Sequence, residues 1–434
     1  MNAPDARTDT RAGSGAETRG AVAPGAPSGP APSPGGGMIG PSRGGPALRD
    51  LTPSALVMGL LVTIVGFASS FAVVLAGLAG VGASAHEAAS GLTAATLAMG
   101  AGGVILPFLT RQPIAVAWST PGAALLATAV VPEGGFAAAV GAFVVCGVML
   151  TLTAFLRPLG RAVAAIPVPI ASAMLAGILL PLALAPVRAV AEDWRLGLPI
   201  ALAWLIGGRV HRLLAVPSAL AAFVVVTVIG VELPPGTLGA LGGAVGLALA
   251  PIAPVFTIEA AIGVGVPLYV VTMASQNIPG LAVLRAHGYE PDASTGFAVT
   301  GLLSIAVSPF GGHAVNYAAI TAAMCAGEEA GSDPSKRYWA AAVSGFGYLA
   351  LGLVAGAAAL FVSLAPPVLI EAVAGLALVG TFATAALAAF TEPRMREAAA
   401  VTFLVAASGI AVLGISGAFW GLLAGLAINA IARR

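Results

Sequence analysis

The sequence is poor in charge. Only 9% of its 434 residues are Asp, Glu, Lys or Arg, against about 25% in a soluble globular chain. So few charges cannot cover a water-facing surface, which leaves the bilayer as the solvent. The net charge of +1 supplies no basic field for nucleic acid. There are two cysteines, Cys146 and Cys325, both inside apolar runs. That excludes a disulfide framework and a Cys-based zinc site, and no other metal-ligand pair or cofactor motif is present. No Gly-x-Ser-x-Gly elbow surrounds Ser119, so an enzyme using Ser119 as nucleophile and His313 as base has little to rest on.

Apolar length is what the chain has in quantity: 58% of it is hydrophobic and its mean hydropathy is +0.98. Residues 1–50 stand apart. They are rich in Gly, Pro, Ala and Ser, with Arg7, Arg11, Arg19, Arg43 and Arg49 scattered among acids. No apolar core makes them a signal peptide, and they are expected to form a disordered cytoplasmic tail. Residues 51–434 read as one membrane domain. About 20 apolar residues cross the hydrocarbon, and fourteen candidate segments follow. They lie near 54–80, 88–109, 113–131, 136–156, 166–187, 196–208, 213–231, 256–278, 293–308, 312–327, 339–363, 367–390, 398–413 and 415–432, and are numbered 1 to 14 in that order. With the N-terminus inside, every Lys and Arg except Arg188 and Arg195 falls on the cytoplasmic side. The positive-inside rule then predicts that both termini are cytoplasmic.

The expected fold is an all-α polytopic membrane protein built as two inverted seven-segment repeats. They cover 51–231 and 256–434, either side of the Gly- and Pro-rich stretch 232–255. An odd number of crossings per half inverts the second half, as in secondary transporters. The third segment of each half is unusual. One reads IAVAWSTPGAALLATAV (114–130); the other reads HAVNYAAITAAMCAG (313–327), after the breakers Pro309, Gly311 and Gly312. Each starts extended and turns helical, and the two extended parts are expected to pair antiparallel. Thr120 suits a helix cap and Pro121 the first turn. Irregular backbone in lipid is tolerated only where it lines a cavity, and matched broken segments mark a transporter's site.

A site between two half-helix tips favours an anion, because free N–H groups and the helix dipole both supply positive charge. The candidate donors are the N–H groups around Thr120 to Ala123, including Gly122, and around Val315 to Tyr317. The side chains of Ser119, Gln276, Asn277, Asn316 and His313 join them. Phe67 and Phe71, four apart in segment 1, with Trp118 and Phe310 offer a flat apolar slot, and Ser69 and Ser70 lie beside them. Each has a plainer reading. His313 could bond a carbonyl, Gln276 with Asn277 could join helices, and the phenylalanines could simply pack. An intramembrane ionisable residue is nonetheless a site by default.

TMASQNIPGLAVLRAHGY (272–289) and SPFGGHAVNYAAITAAMCAG (308–327) closely resemble the benzoate:proton symporter family of bacteria, and the similarity runs from about Leu51 to the C-terminus. The resemblance implies uptake of benzoate with a proton across the inner membrane, by alternating access and without a cofactor. A homodimer is compatible with it. The wider nucleobase-transporter fold is also similar. It implies a core domain (segments 1–4 and 8–11) holding substrate between broken segments 3 and 10, and a gate domain (5–7 and 12–14). Nucleobase carriers of that fold place acids on segments 8 and 10, where this chain has Gln276 and His313. A nucleobase NH wants a carboxylate acceptor, whereas benzoate is an anion at neutral pH and wants donors. Substrate-binding roles are therefore expected for Ser119, Thr120, Gly122, Gln276, Asn277, His313, Asn316, Phe67, Ser70 and Trp118, with His313 carrying the proton. The alternatives are another organic or inorganic anion, a nucleobase, or an uncoupled anion channel.

Overall fold

Proline, glycine and serine decide where the helices of this chain start, widen and stop. The structure, a computed structural model, describes residues 38–40, 47–412 and 415–432. Each of the fourteen segments holds a helix, or a short strand followed by a helix. Nine helices among the described residues are long and apolar enough to cross a membrane. Segments 3, 6, 10, 13 and 14 hold shorter elements. Starts are chemically marked. Thr52 caps Pro53–Ala68 by accepting from Ala55 N–H at 3.1 Å, and Ser84 with Glu87 forms a capping box on Ala85–Thr110.

Three segments depart from a plain rod. Segment 1 is two helices, Pro53–Ala68 and Phe71–Gly80, parted at Ser69 and Ser70. Segment 5 is Val168–Ala183 followed by a short helix, Ala185–Glu192. Segment 8 runs from Ile258 to Ala286 but widens into π turns at Ala261–Gly265 and Met273–Asn277. Each π turn ends just before a proline, Pro267 or Pro279. Proline has no N–H and its ring collides with the carbonyl four residues back. A wider turn accommodates both defects, so these two prolines were the signal in the sequence.

Two antiparallel strands form the irregular centre. Strand β1 (Val116–Trp118) lies in segment 3 and β2 (Val315–Tyr317) in segment 10. Their register pairs Val116 with Tyr317, Ala117 with Asn316 and Trp118 with Val315. A second small pair, β3 (Ala411–Val412) with β4 (Ile415–Ser416), joins segments 13 and 14.

The expectation of a disordered tail over residues 1–50 needs correcting at its end. Residues 1–37 and 41–46 lie outside the described residues. Ile39 and 47–50, by contrast, are docked. Ile39 accepts from Gln112 Nε2–H at 3.0 Å and from Glu290 N–H at 3.0 Å, and donates its N–H to Gly288 at 2.8 Å. The Asp50 carboxylate accepts from Arg111 and, at 2.9 Å, from the Tyr338 hydroxyl. Trp339 Nε1–H reaches the Ala47 carbonyl at 3.1 Å. The buried polar groups around Gln112 and Tyr338 supply partners that a tail composition does not reveal. In the same cluster Tyr289 donates to the Pro334 carbonyl at 2.8 Å, and burial pushes its hydroxyl up to about 12.

Candidate functional site

The ladder between β1 and β2 continues one pair beyond the strands at each end. Ser119 N–H bonds the Ala314 carbonyl and Ala318 N–H bonds the Ala115 carbonyl, both at 2.9 Å. Counting one step further along that register leads to Thr120 and His313, where segment 3 has already turned helical. In lipid an unpaired strand must satisfy its backbone some other way, and each broken segment does so through the other.

The first half-helix is Thr120–Ala127. Its N-cap is Ser119, one residue before the Thr120 that the sequence favoured. Ser119 is the residue just before the first helical one, so its hydroxyl is placed to accept from Gly122 N–H, at 3.1 Å. The Ser119 carbonyl takes Ala123 N–H at 2.7 Å. Two of the expected N–H donors are therefore already engaged. In the second break the helix starts only at Ile320, runs to Ala326 and has no side-chain cap. Here His313 precedes a strand instead of tipping a helix. The N–H groups of Val315 and Tyr317 bond Ser304 Oγ at 3.0 Å and Asn277 Oδ1 at 2.9 Å. These too are engaged, along the β2 edge that faces away from β1.

Several candidate residues thus hold the backbone. Asn277 is fully buried and supports β2. The Asn316 amide, oriented to satisfy both its ends, accepts from Ser119 N–H at 3.0 Å and donates to the Tyr317 carbonyl at 2.7 Å. Gly122 has no room for a side chain, since a Cβ there would lie 2.5 Å from Leu268 and 2.6 Å from Ser119 Oγ. The aromatic candidates do come together. Phe67 stacks on Phe71 with ring centroids 5.3 Å apart, and lies 5.7 Å from Trp118. Trp118 Nε1–H donates to Ser70 Oγ at 2.8 Å, which ties the break in segment 1 to the break in segment 3. Phe310 serves elsewhere, its carbonyl accepting from Ser90 Oγ at 2.8 Å.

Three candidates keep polar capacity in reserve. His313 is 0% exposed, and neither ring nitrogen has a hydrogen-bond partner among the described residues. Its ring meets Phe143 edge-on at 6.5 Å. Thr120 and Gln276 are half-buried, and their side chains make no hydrogen bond among the described residues. A buried, unpartnered imidazole is costly, and a polar ligand would relieve it. The sequence reading passed over Thr272, Ser304 and Phe143. Thr272 opens the quoted motif 272–289 and donates to Ser119 Oγ at 2.7 Å. Ser304 and Phe143 sit in ordinary apolar helices, and nothing local singles them out. A cavity of about 350 Å³ lined by Leu404, Val405, Ile410, Val412 and Trp420 lies at segments 13 and 14, and none of these residues belongs to β1, β2 or the candidate site.

Known proteins resemble this chain in sequence and in fold. The family model described as benzoate membrane transport protein matches residues 49–431. The inner membrane protein YdcO of Escherichia coli (strain K12) is 37% identical over 399 residues, covering 89% of this chain and 99% of that protein. The benzoate membrane transport protein of Acinetobacter baylyi is 28% identical over 379 residues, covering 87% and 95%. Among solved structures, the transmembrane domain of the cyanobacterial bicarbonate transporter BicA aligns with a TM-score of 0.57 at 14% identity, over 91% of this chain and 99% of that one. SLC26A9 aligns with a TM-score of 0.58 at 15% identity, over 89% and 66%. At such identities the likeness is one of fold: an all-α polytopic membrane transporter.

Proposed function

The chain belongs to the benzoate membrane transport protein family, and from that premise we propose that it takes up benzoate, or a closely related aromatic carboxylate, together with a proton. The family is one of membrane transporters, not enzymes, and the chain is a multi-pass inner membrane protein. In our reading its fourteen segments form two inverted repeats with both termini cytoplasmic. A core of segments 1–4 and 8–11 moves against a gate of 5–7 and 12–14.

The observation that carries the proposal is His313, enclosed beside the paired breaks with both ring nitrogens unpartnered among the described residues. Phe67 and Trp118, fixed by Ser70, form the wall for the aromatic ring. Thr120, Gln276 and His313 meet the carboxylate. Ser119, Gly122, Asn277 and Asn316 keep the two breaks in register beneath it. An imidazolium and a carboxylate stabilise each other, so proton and substrate each raise the affinity for the other. Loaded one to one, the site has the same net charge as the empty carrier with neutral His313, and the core can cross without moving charge through the potential. Gln276 and His313, in place of acids, disfavour nucleobases.

The test is uptake of labelled benzoate into proteoliposomes under an imposed pH gradient, with uracil, sulfate and bicarbonate as competitors. Accumulation when the outside is more acidic, with no competition by uracil, is expected. Competition by uracil equal to that by unlabelled benzoate would overturn the substrate assignment. Benzoate flux that neither responds to the gradient nor saturates would make the protein a channel.

A further inference from the structure

We propose that Thr272 is a positioning residue for the substrate site, and that the π turn Met273–Asn277 brings it into line with Asn277 so that one helix holds both breaks. The inference rests on the site reading above and deepens it.

Thr272 is fully buried. Its hydroxyl donates to Ser119 Oγ at 2.7 Å, the same oxygen that accepts Gly122 N–H at 3.1 Å. The cap of the first half-helix is thus oriented from segment 8. Asn277, in the same helix, accepts Tyr317 N–H at 2.9 Å. Segment 8 therefore grips segment 3 with one side chain and segment 10 with the other. In a regular α-helix, with 3.6 residues per turn, side chains five residues apart point about 140° apart. They could not both face the narrow ladder between β1 and β2. In a turn closed by bonds to the residue five back, they stack. Ile278 N–H does bond the Met273 carbonyl, five residues earlier. Pro279 favours this turn, because it leaves the Ser275 carbonyl without a helical donor and needs room for its ring.

Close approach supports the same arrangement. A Cβ on Gly280 would lie 2.8 Å from Tyr317 Cβ and 2.9 Å from the Ala318 carbonyl oxygen, so only glycine lets the helix lie this near β2. The two breaks then move as one body. Neither can slide along the ladder without losing the Thr272–Ser119 bond or the Asn277–Tyr317 bond.

Three proteins are compared in lipid: wild type, Thr272→Val, which keeps the shape but cannot donate, and Thr272→Ser, which keeps the donor. Hydrogen–deuterium exchange is read over residues 114–127, and the concentration dependence of benzoate uptake in proteoliposomes. Loss of one neutral hydrogen bond corresponds to a factor of about five to ten. Thr272→Val is expected to speed exchange in that stretch by about this factor and to raise KM similarly, with Vmax within about twofold. Thr272→Ser is expected to restore both. Unchanged exchange in Thr272→Val would overturn the proposal, as would equal impairment of the two variants, which would make Thr272 a packing residue only. The exchange readout needs no substrate. If the wild type carries no benzoate, the functional assignment fails while the role of Thr272 is still decided.

Discussion

The two broken segments at the centre of this molecule solve one problem in different ways. Segment 3 supplies its own helix cap, which Thr272 of segment 8 only orients. Ser119 caps its own half-helix, Pro121 removes a donor from the first turn, and the Ser119 carbonyl receives Ala123 N–H. Segment 10 borrows. Its half-helix has no side-chain cap, and the outer N–H groups of β2 are met by Ser304 from segment 9 and Asn277 from segment 8. The half that depends on its neighbours is also the half that carries His313. A segment held from outside leaves its own polar side chain free of structural duty, and His313 is the buried side chain here whose ring nitrogens both lack a partner among the described residues. In the proposed reading, the difference separates scaffold from ligand site within one ladder.

That contrast can be broken by substitution. The largest effect is expected on the borrowing side. Ser304→Ala leaves Val315 N–H buried and unpaired, a loss of about 1–3 kcal/mol, seen as a lower thermal midpoint in detergent and as lost benzoate uptake. The self-capped side should suffer less. Ser119→Ala removes a helix cap worth about 1 kcal/mol, and the Thr272 hydroxyl that it releases can serve the short helix in its place. Equal loss in the two variants would erase the distinction. Away from both breaks, Asp50→Asn weakens the contact of the N-terminal stretch with Arg111 and Tyr338. Asn keeps an acceptor oxygen for both donors and Arg111 is partly exposed, so about 1 kcal/mol or less is expected, read as faster proteolysis near residues 47–50 with transport kept. The smallest effect belongs to the exposed pair Lys336–Asp333, 3.3 Å apart. Lys336→Ala should shift stability by less than about 0.5 kcal/mol.

Much of the architecture was legible because lipid imposes strong rules. Apolar length located the segments, and Pro121, Pro309, Gly311 and Gly312 located the two breaks. The antiparallel pairing followed from the need to satisfy backbone in lipid, and β1 with β2 meets it. Finer chemistry was not legible. Whether Ser119 or Thr120 caps a helix depends on a single backbone angle. The N–H groups of Val315 and Tyr317 looked free because Ser304, eleven residues before Val315 in the preceding segment, reads as an ordinary helical serine. Asn277 was visible as a polar residue, but its acceptor role depends on a π turn whose only signal was Pro279. The docking of Ile39 and Asp50 depends on partners at Gln112, Arg111 and Tyr338, scattered over the whole chain. Composition describes a segment's own preferences and says nothing of what its neighbours offer.

The central claim is that the borrowed segment frees His313 to couple a proton to the substrate. It is tested most directly in proteoliposomes with His313→Gln, which keeps a hydrogen-bond donor but cannot titrate near neutral pH. The account predicts that this variant no longer accumulates benzoate when the outside is made acidic, while exchange of internal for external benzoate is partly retained. Undiminished pH-driven accumulation in His313→Gln would contradict it and take His313 out of the proton path.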